Sequence, residues 1–188
     1  MLSQPYRPKG YKVVPRSAAD IRAIAVNARR VLGIGNDRFK AAMLLDLLCD
    51  KFNITIDVVS DESIPAHIEA QCFPSKFTIE FPERTWEQIE NGSTRGHFTL
   101  AHELGHLILQ HDFSLHREAS PHVHKPFQDS EWQADQFAAE FLMPLSTING
   151  MRLFQAEDLA EFFDVSVKAA EVRLAKLRNK GELTEGKR

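Results

Sequence analysis

His102-Glu103-Leu104-Gly105-His106 sets two imidazoles and a carboxylate within a short stretch of chain. On a helix, residues i and i+4 stand one above the other on one face. Both rings then reach a single tetrahedral zinc ion at about 2.0–2.1 Å. Glu103, beside the first ring, is placed to take a proton from a water in the open coordination position, whose pKa zinc lowers to about 7, and to pass it to a leaving amine. The surrounding segment, TRGHFTLAHELGHLILQ over 94–110, is apolar on nearly every face, which predicts a buried helix. Two histidines and a glutamate inside such a helix are costly without a shared partner. The chemistry this set points to is metal-assisted hydrolysis.

Two histidines leave a catalytic zinc short of one protein ligand. A related zinc pattern needs glycine at 109 and histidine at 112; this chain has Leu109 and Asp112 instead. Asp112 remains open as a carboxylate ligand. Glu131, at the start of EWQADQFAAEFLMP, is the better candidate. Glu131, Ala134, Asp135 and Ala138 share one helix face. The two alanines allow close approach to the first helix, and Asp135 is placed to accept a hydrogen bond from the far nitrogen of a zinc histidine. For the oxyanion of a tetrahedral intermediate a His or Tyr donor is expected. The two tyrosines, Tyr6 and Tyr11, lie in the N-terminal arm, so His97, His122 and His124 are better placed by sequence. Seven of the eight histidines fall between 97 and 124, a concentration that itself suggests metal or acid–base chemistry. Arg95 and His116 receive no role.

The elements that must position these residues read as follows. Residues 1–16, with Pro5, Pro8, Gly10 and Pro15, form an extended arm. Ser17 caps a helix with Asp20 at its third position, and Gly33 or Gly35 ends it. Asn36 or Asp37 caps a second helix running through Phe39, Met43 and Leu48. Ile54, Ile56 and Val58 alternate with polar neighbours as a half-buried strand. His67–Cys72 and 76–81 read as two more strands joined by a tight turn at 73–75. The result is a small sheet of about three strands, antiparallel throughout. A short amphipathic segment over 83–91 precedes the HExxH helix. Residues 111–128 are a long polar loop, 130–143 a helix stopped by Pro144, and 155–163 and 166–179 two further helices around a turn at Val165. The divisions are an arm over 1–16, a main domain over 17–150 and a C-terminal helical extension over 151–188, with its last residues frayed.

The 188 residues are 43% hydrophobic and 26% charged, enough for one domain with a real core. No apolar run approaches the roughly 18 residues a membrane span needs, and the basic N-terminus lacks the apolar stretch of a signal peptide. Cys49 and Cys72 make neither a disulfide framework nor a cysteine zinc site, and read as small buried residues in a reducing cytoplasm. Residues 1–40 hold nine Lys or Arg and two Asp, which reads as a solvated basic face or a surface for an acidic partner. The tail over 155–188 resembles a helix-turn-helix, but its seven basic and seven acidic residues give phosphate little attraction. With a net charge of -3, direct nucleic-acid binding is not expected.

HFTLAHELGHLIL followed by ExxADxFAAEFLMP resembles the ImmA/IrrE metallopeptidases, and the resemblance extends over most of residues 20–180. It implies an α+β fold: a mostly helical, minimal zincin-like domain with a small sheet. It implies zinc, or another divalent metal, held by His102, His106 and Glu131, with Glu103 as the catalytic base. It implies an endopeptidase that cleaves a regulatory protein, a helix-turn-helix transcriptional repressor, supplied here as a separate chain. The competing expectation is a DNA-binding or toxin–antitoxin-type interaction protein whose metal is structural or inactive. Four protein ligands would mark that case; an open fourth position marks the enzyme.

Overall fold

The computed structural model describes residues 6–35, 38, 41–111 and 124–185. Helix α1 (Ala18–Val31) starts where a capping box forms: Ser17 Oγ accepts from Asp20 N–H, and the Asp20 carboxylate accepts from Ser17 N–H. It turns Ile21, Ala25 and Ala28 inward. Helix α2 (Ala41–Phe52) buries Leu44 and Leu48. Its expected caps Asn36 and Asp37, and Phe39, lie outside the described residues.

Strands β1 (Thr55–Val59), β2 (Gln71–Phe73) and β3 (Thr78–Pro82) form one sheet in the order β1-β3-β2. The sheet is mixed rather than antiparallel throughout: β2 runs antiparallel to β3, but β1 runs parallel to it, with Ile56 opposite Ile79. The turn at Pro74–Lys76, closed by Phe77 in the left-handed region, reverses β2 into β3. The chain over 60–70 carries β2 past its neighbour's place, and β3 returns into the gap. That central place goes to the strand with the strongest apolar alternation, since Ile79 and Phe81 are fully buried while β1 is mostly exposed. Strand β2 is also shorter than expected, because His67 and Ile68 lie in a turn closed from Ile68 N–H to Pro65 O.

Helices α3 (Glu83–Glu90), α4 (Thr94–Leu109), α5 (Ser130–Leu142), α6 (Leu145–Met151), α7 (Ala156–Phe163) and α8 (Val167–Asn179) complete the described elements. Helix α6 was not anticipated: Pro144, read as a stop, is also the N-cap from which the next helix starts. Helix α4 packs along α5, and α1 along the same helix. Gly105 permits the first contact, since a Cβ there would lie 3.1 Å from the Phe137 ring and 3.3 Å from Ala134 Cα. Ala134 and Ala138 are fully buried in the seam.

The C-terminal helices join the same core through Leu159, Phe163, Leu174 and Leu177. They are also tied by charge. Arg173 on α8 forks onto Glu140 of α5 at 2.9 and 2.6 Å, and Arg22 of α1 donates to the same carboxylate at 3.0 Å. Cys72 is buried as expected, but Cys49 is exposed: it lies on the outer face of α2, opposite the stripe of Leu44 and Leu48. Among the described residues no helix is long and apolar enough to cross a membrane.

Candidate metal centre

Helix α4 is set by its caps. Ser93 Oγ accepts from Gly96 N–H at the start, and Gln110 adopts left-handed backbone, φ 58°, at the end. Helix α5 is capped by Asp129, which accepts from Trp132 N–H and puts Glu131 in the first turn, facing α4. The two helices bring His102, His106 and Glu131 together. His102 Nε2 lies 3.2 Å from Glu131 Oε2, His106 Nε2 lies 3.4 Å from Glu131 Oε1, and the two Nε2 atoms are 3.0 Å apart.

Hydrogen bonds decide what those nitrogens present. Gln133 Nε2 donates to Val14 O and Phe127 O, both at 2.8 Å, which uses both amide hydrogens. Its Oε1 is therefore an acceptor, and it also receives Arg16 Nη1. His111 Nε2, 3.1 Å from that oxygen, must be the donor. Burial, with His106 alongside, lowers the pKa of His111 to about 3, so its ring is neutral and Nδ1 carries a lone pair. His106 Nδ1, 3.1 Å away, then supplies the hydrogen, and His106 Nε2 turns a lone pair into the gap. Asp135 does the same for His102, whose Nδ1 lies 3.1 Å from Oδ1.

Two imidazole lone pairs and a carboxylate thus converge on one gap, and a divalent cation fits. Tetrahedral bonds of about 2.05 Å give ligand–ligand edges of roughly 3.3 Å, close to the 3.0–3.4 Å separations found. Among the described residues this is the one group of three such side chains that could hold a metal. Burial opposes charge on His102, but the hydrogen bonds with Asp135 and Glu131 outweigh it and raise its pKa to about 10. Burial would lift Glu131, and the same histidines hold it well below the usual carboxylate range. Glu103, buried beside them, is raised by that burial against the pull of both rings.

The other expected residues are placed apart. His97 is buried about 140° round α4 from His102, where it lines a cavity with Trp86, Ile89 and Asp164. His124 is buried with Nε2 2.9 Å from Asp129 Oδ2, supporting the cap of α5. Asp112, His116 and His122 lie outside the described residues. Arg95 pairs with Glu69, which also accepts from Thr99 Oγ1.

Sequence reasoning missed His111, Gln133 and the N-terminal arm. The arm is stitched to the start of α5: Lys9 N–H and Gly10 N–H donate to the Asp129 carboxylate, and Tyr11 N–H donates to Ser130 Oγ. It brings Tyr6 to the same region. Burial, then the charge of Asp129 and a hydrogen bond to its carboxylate, then the charges of Asp135 and Glu131, push the Tyr6 phenol up to about 12, so it stays protonated at neutral pH.

Residues 90–175 match the family model described as the IrrE N-terminal-like domain, a peptidase family. That range contains α4 and α5 with His102, His106 and Glu131, the group that could hold a metal. No curated protein matches the chain. Among solved structures, a Mycobacterium tuberculosis transcriptional regulator has a similar fold, with a TM-score of 0.57 at 20% identity over 84% of this chain. This chain spans 46% of that one, and at that identity the likeness is one of fold.

Proposed function

From the match of residues 90–175 to the IrrE N-terminal-like domain, a peptidase family, we propose that the chain is a zinc-dependent endopeptidase. Its substrate in this reading is a regulatory protein supplied in trans, a helix-turn-helix transcriptional repressor. The observation that carries the proposal is the convergence of His102 Nε2, His106 Nε2 and Glu131, with the far nitrogens of both rings committed to Asp135 and His111. A bound zinc ion supplies Lewis acidity, which polarises a carbonyl and acidifies a water.

The remaining work belongs to the chain. Glu103, next to the first histidine and nine-tenths buried, takes a proton from the attacking water. Its environment raises its affinity for that proton, which suits a base that must hold the proton and then release it to the departing amine. Asp135 and His111 hold the two rings in the tautomers that face the gap. With His102, His106 and Glu131 as the protein ligands, the enzyme needs a fourth coordination position open to water.

Co-expression with a helix-turn-helix repressor from the same source tests the proposal. Cleavage that depends on Glu103 supports it. An intact repressor with the metal-loaded wild-type protein contradicts the assigned substrate.

A further inference from the structure

The N-terminal arm backs the metal-facing side chains at two places. Beside Glu131, Lys9 N–H and Gly10 N–H donate to the Asp129 carboxylate at 2.9 and 3.2 Å, and Ser130 N–H donates to Tyr11 O at 3.1 Å. A Cβ at residue 10 would stand 2.2 Å from Ser130 Oγ and 2.8 Å from Glu131 Cγ, so glycine lets the arm's backbone lie against the ligand-bearing turn. Beside His106, the Tyr11 hydroxyl donates to His111 O at 2.6 Å. Arg16 Nη1 donates to Leu109 O at 3.1 Å and to Gln133 Oε1 at 3.3 Å. Gln133 Nε2 in turn donates to Val14 O at 2.8 Å. The arm is held by such bonds more than by burial: over 6–16 Val13 is the one buried hydrophobic side chain, and Val14 is 65% exposed. A segment held this way opens locally at low cost.

A histidine that gives Nε2 to a metal carries its hydrogen on Nδ1 and needs an acceptor there. For His106 that acceptor is His111 Nδ1, 3.1 Å away. His111 accepts only in the tautomer with its hydrogen on Nε2, and that buried hydrogen goes to Gln133 Oε1. The arm decides which end of the Gln133 amide faces His111: Val14 O takes an amide hydrogen and Arg16 takes the oxygen side. A flipped amide would offer His111 a donor and favour the opposite tautomer. Resting on the metal-peptidase reading above, we propose that the arm is a positioning part of the metal centre, with Tyr11 and Arg16 as positioning residues. The docked arm holds Gln133 and His111 in the one arrangement that suits a metal on His106. Arm docking and zinc binding then favour each other by the same factor, as linkage requires.

The test reads the coupling from both sides in the full chain. Zinc affinity is measured by competition with a chromophoric chelator for wild type, Tyr11→Phe and Arg16→Met, with Arg84→Met as the control. Arg84 also donates to loop carbonyls, those of Asp61 at 3.0 Å and Ile68 at 2.8 Å, but outside the arm. Expected are about tenfold weaker zinc binding in each arm variant, wild-type affinity in Arg84→Met, and an unchanged helical circular-dichroism signal in all. From the other side, amide hydrogen exchange is followed in the wild-type chain with and without zinc, which needs no variant to fold. The Val13 and Arg16 amides, bonded to Gln128 O and Phe127 O, are expected to exchange about tenfold more slowly with zinc. The Ser63 amide, bonded to Ser60 O, is expected to keep its rate. Wild-type affinity in both arm variants, an equal loss in Arg84→Met, or arm exchange that ignores zinc overturns the proposal and leaves the metal site standing. A wild-type chain that binds no zinc overturns the metal-peptidase reading itself, and the proposal with it.

Discussion

His106 Nδ1 lies 3.1 Å from His111 Nδ1, and Gln133 on the far side of His111 leaves only one way to distribute the hydrogens. That contact runs from the arm residues Val14 and Arg16, through Gln133, to a metal-facing ring. His111→Ala leaves His106 free to rotate and to change tautomer. Zinc affinity, measured by competition with a chromophoric chelator, is expected to fall about 10–100-fold. An unchanged affinity would show that His106 is oriented by something else.

Asp135→Ala removes the equivalent restraint on His102. A loss of metal affinity of similar size, about 10–100-fold, is expected, without loss of the helical circular-dichroism signal. The Asp135 side chain is more than a third exposed, so its truncation removes little buried surface.

Glu103→Gln keeps the shape of the site and removes the base. Metal analysis of the purified variant is expected to match wild type, while the cleavage rate falls by about 10²–10⁴. Full activity with bound zinc would rule out Glu103 as the proton carrier.

How far the sequence already displayed this centre depends on the range of each contact. HExxH fixes His102 and His106 by helical geometry alone, and the face shared by Glu131, Ala134, Asp135 and Ala138 pointed to the second helix. The His106–His111 contact needs the left-handed reversal at Gln110, which no periodicity displays; a histidine five residues past the motif was its only trace. The arm's tyrosines were set aside because the arm's approach depends on backbone bonds to Asp129 and Ser130, more than a hundred residues along the chain. The strands were visible as apolar alternation, but not their order, since which strand fills the centre is decided by packing across the sheet. Helix α6 was hidden by Pro144, which ends one helix and starts the next equally well.

The buried pair Arg173–Glu140 gives a pH signature. Burial would raise Glu140, but hydrogen bonds from Arg173 and Arg22, with their charges, hold its carboxyl below the ordinary range. The unfolded chain therefore takes up this proton more readily than the folded one. The contribution to stability is complete above the unfolded pKa of about 4.3 and is lost as pH falls below it. Glu140→Gln is expected to cost about 3–5 kcal/mol at pH 7, because it strands a buried guanidinium, and to flatten the acid limb of stability against pH. Urea unfolding at pH 7 and pH 3.5 measures both.

In the C-terminal segment Arg173 is committed inward, which leaves six basic against seven acidic residues over 155–188. A gel-shift titration with duplex DNA at physiological salt is expected to show only weak binding without sequence preference. Specific binding tighter than roughly 10⁻⁷ M would favour a DNA-reading role instead.

The most direct measurement is X-ray absorption and anomalous diffraction on crystals of the zinc-loaded chain. Two imidazole nitrogens, from His102 and His106, are expected at about 2.0–2.1 Å, with one oxygen of Glu131 at about 2.0–2.2 Å. The fourth position is expected to be held by solvent, with Asp135 and His111 still on the far nitrogens. A fourth protein ligand closing the site, or Glu131 turned to solvent with the metal held elsewhere, would contradict the account.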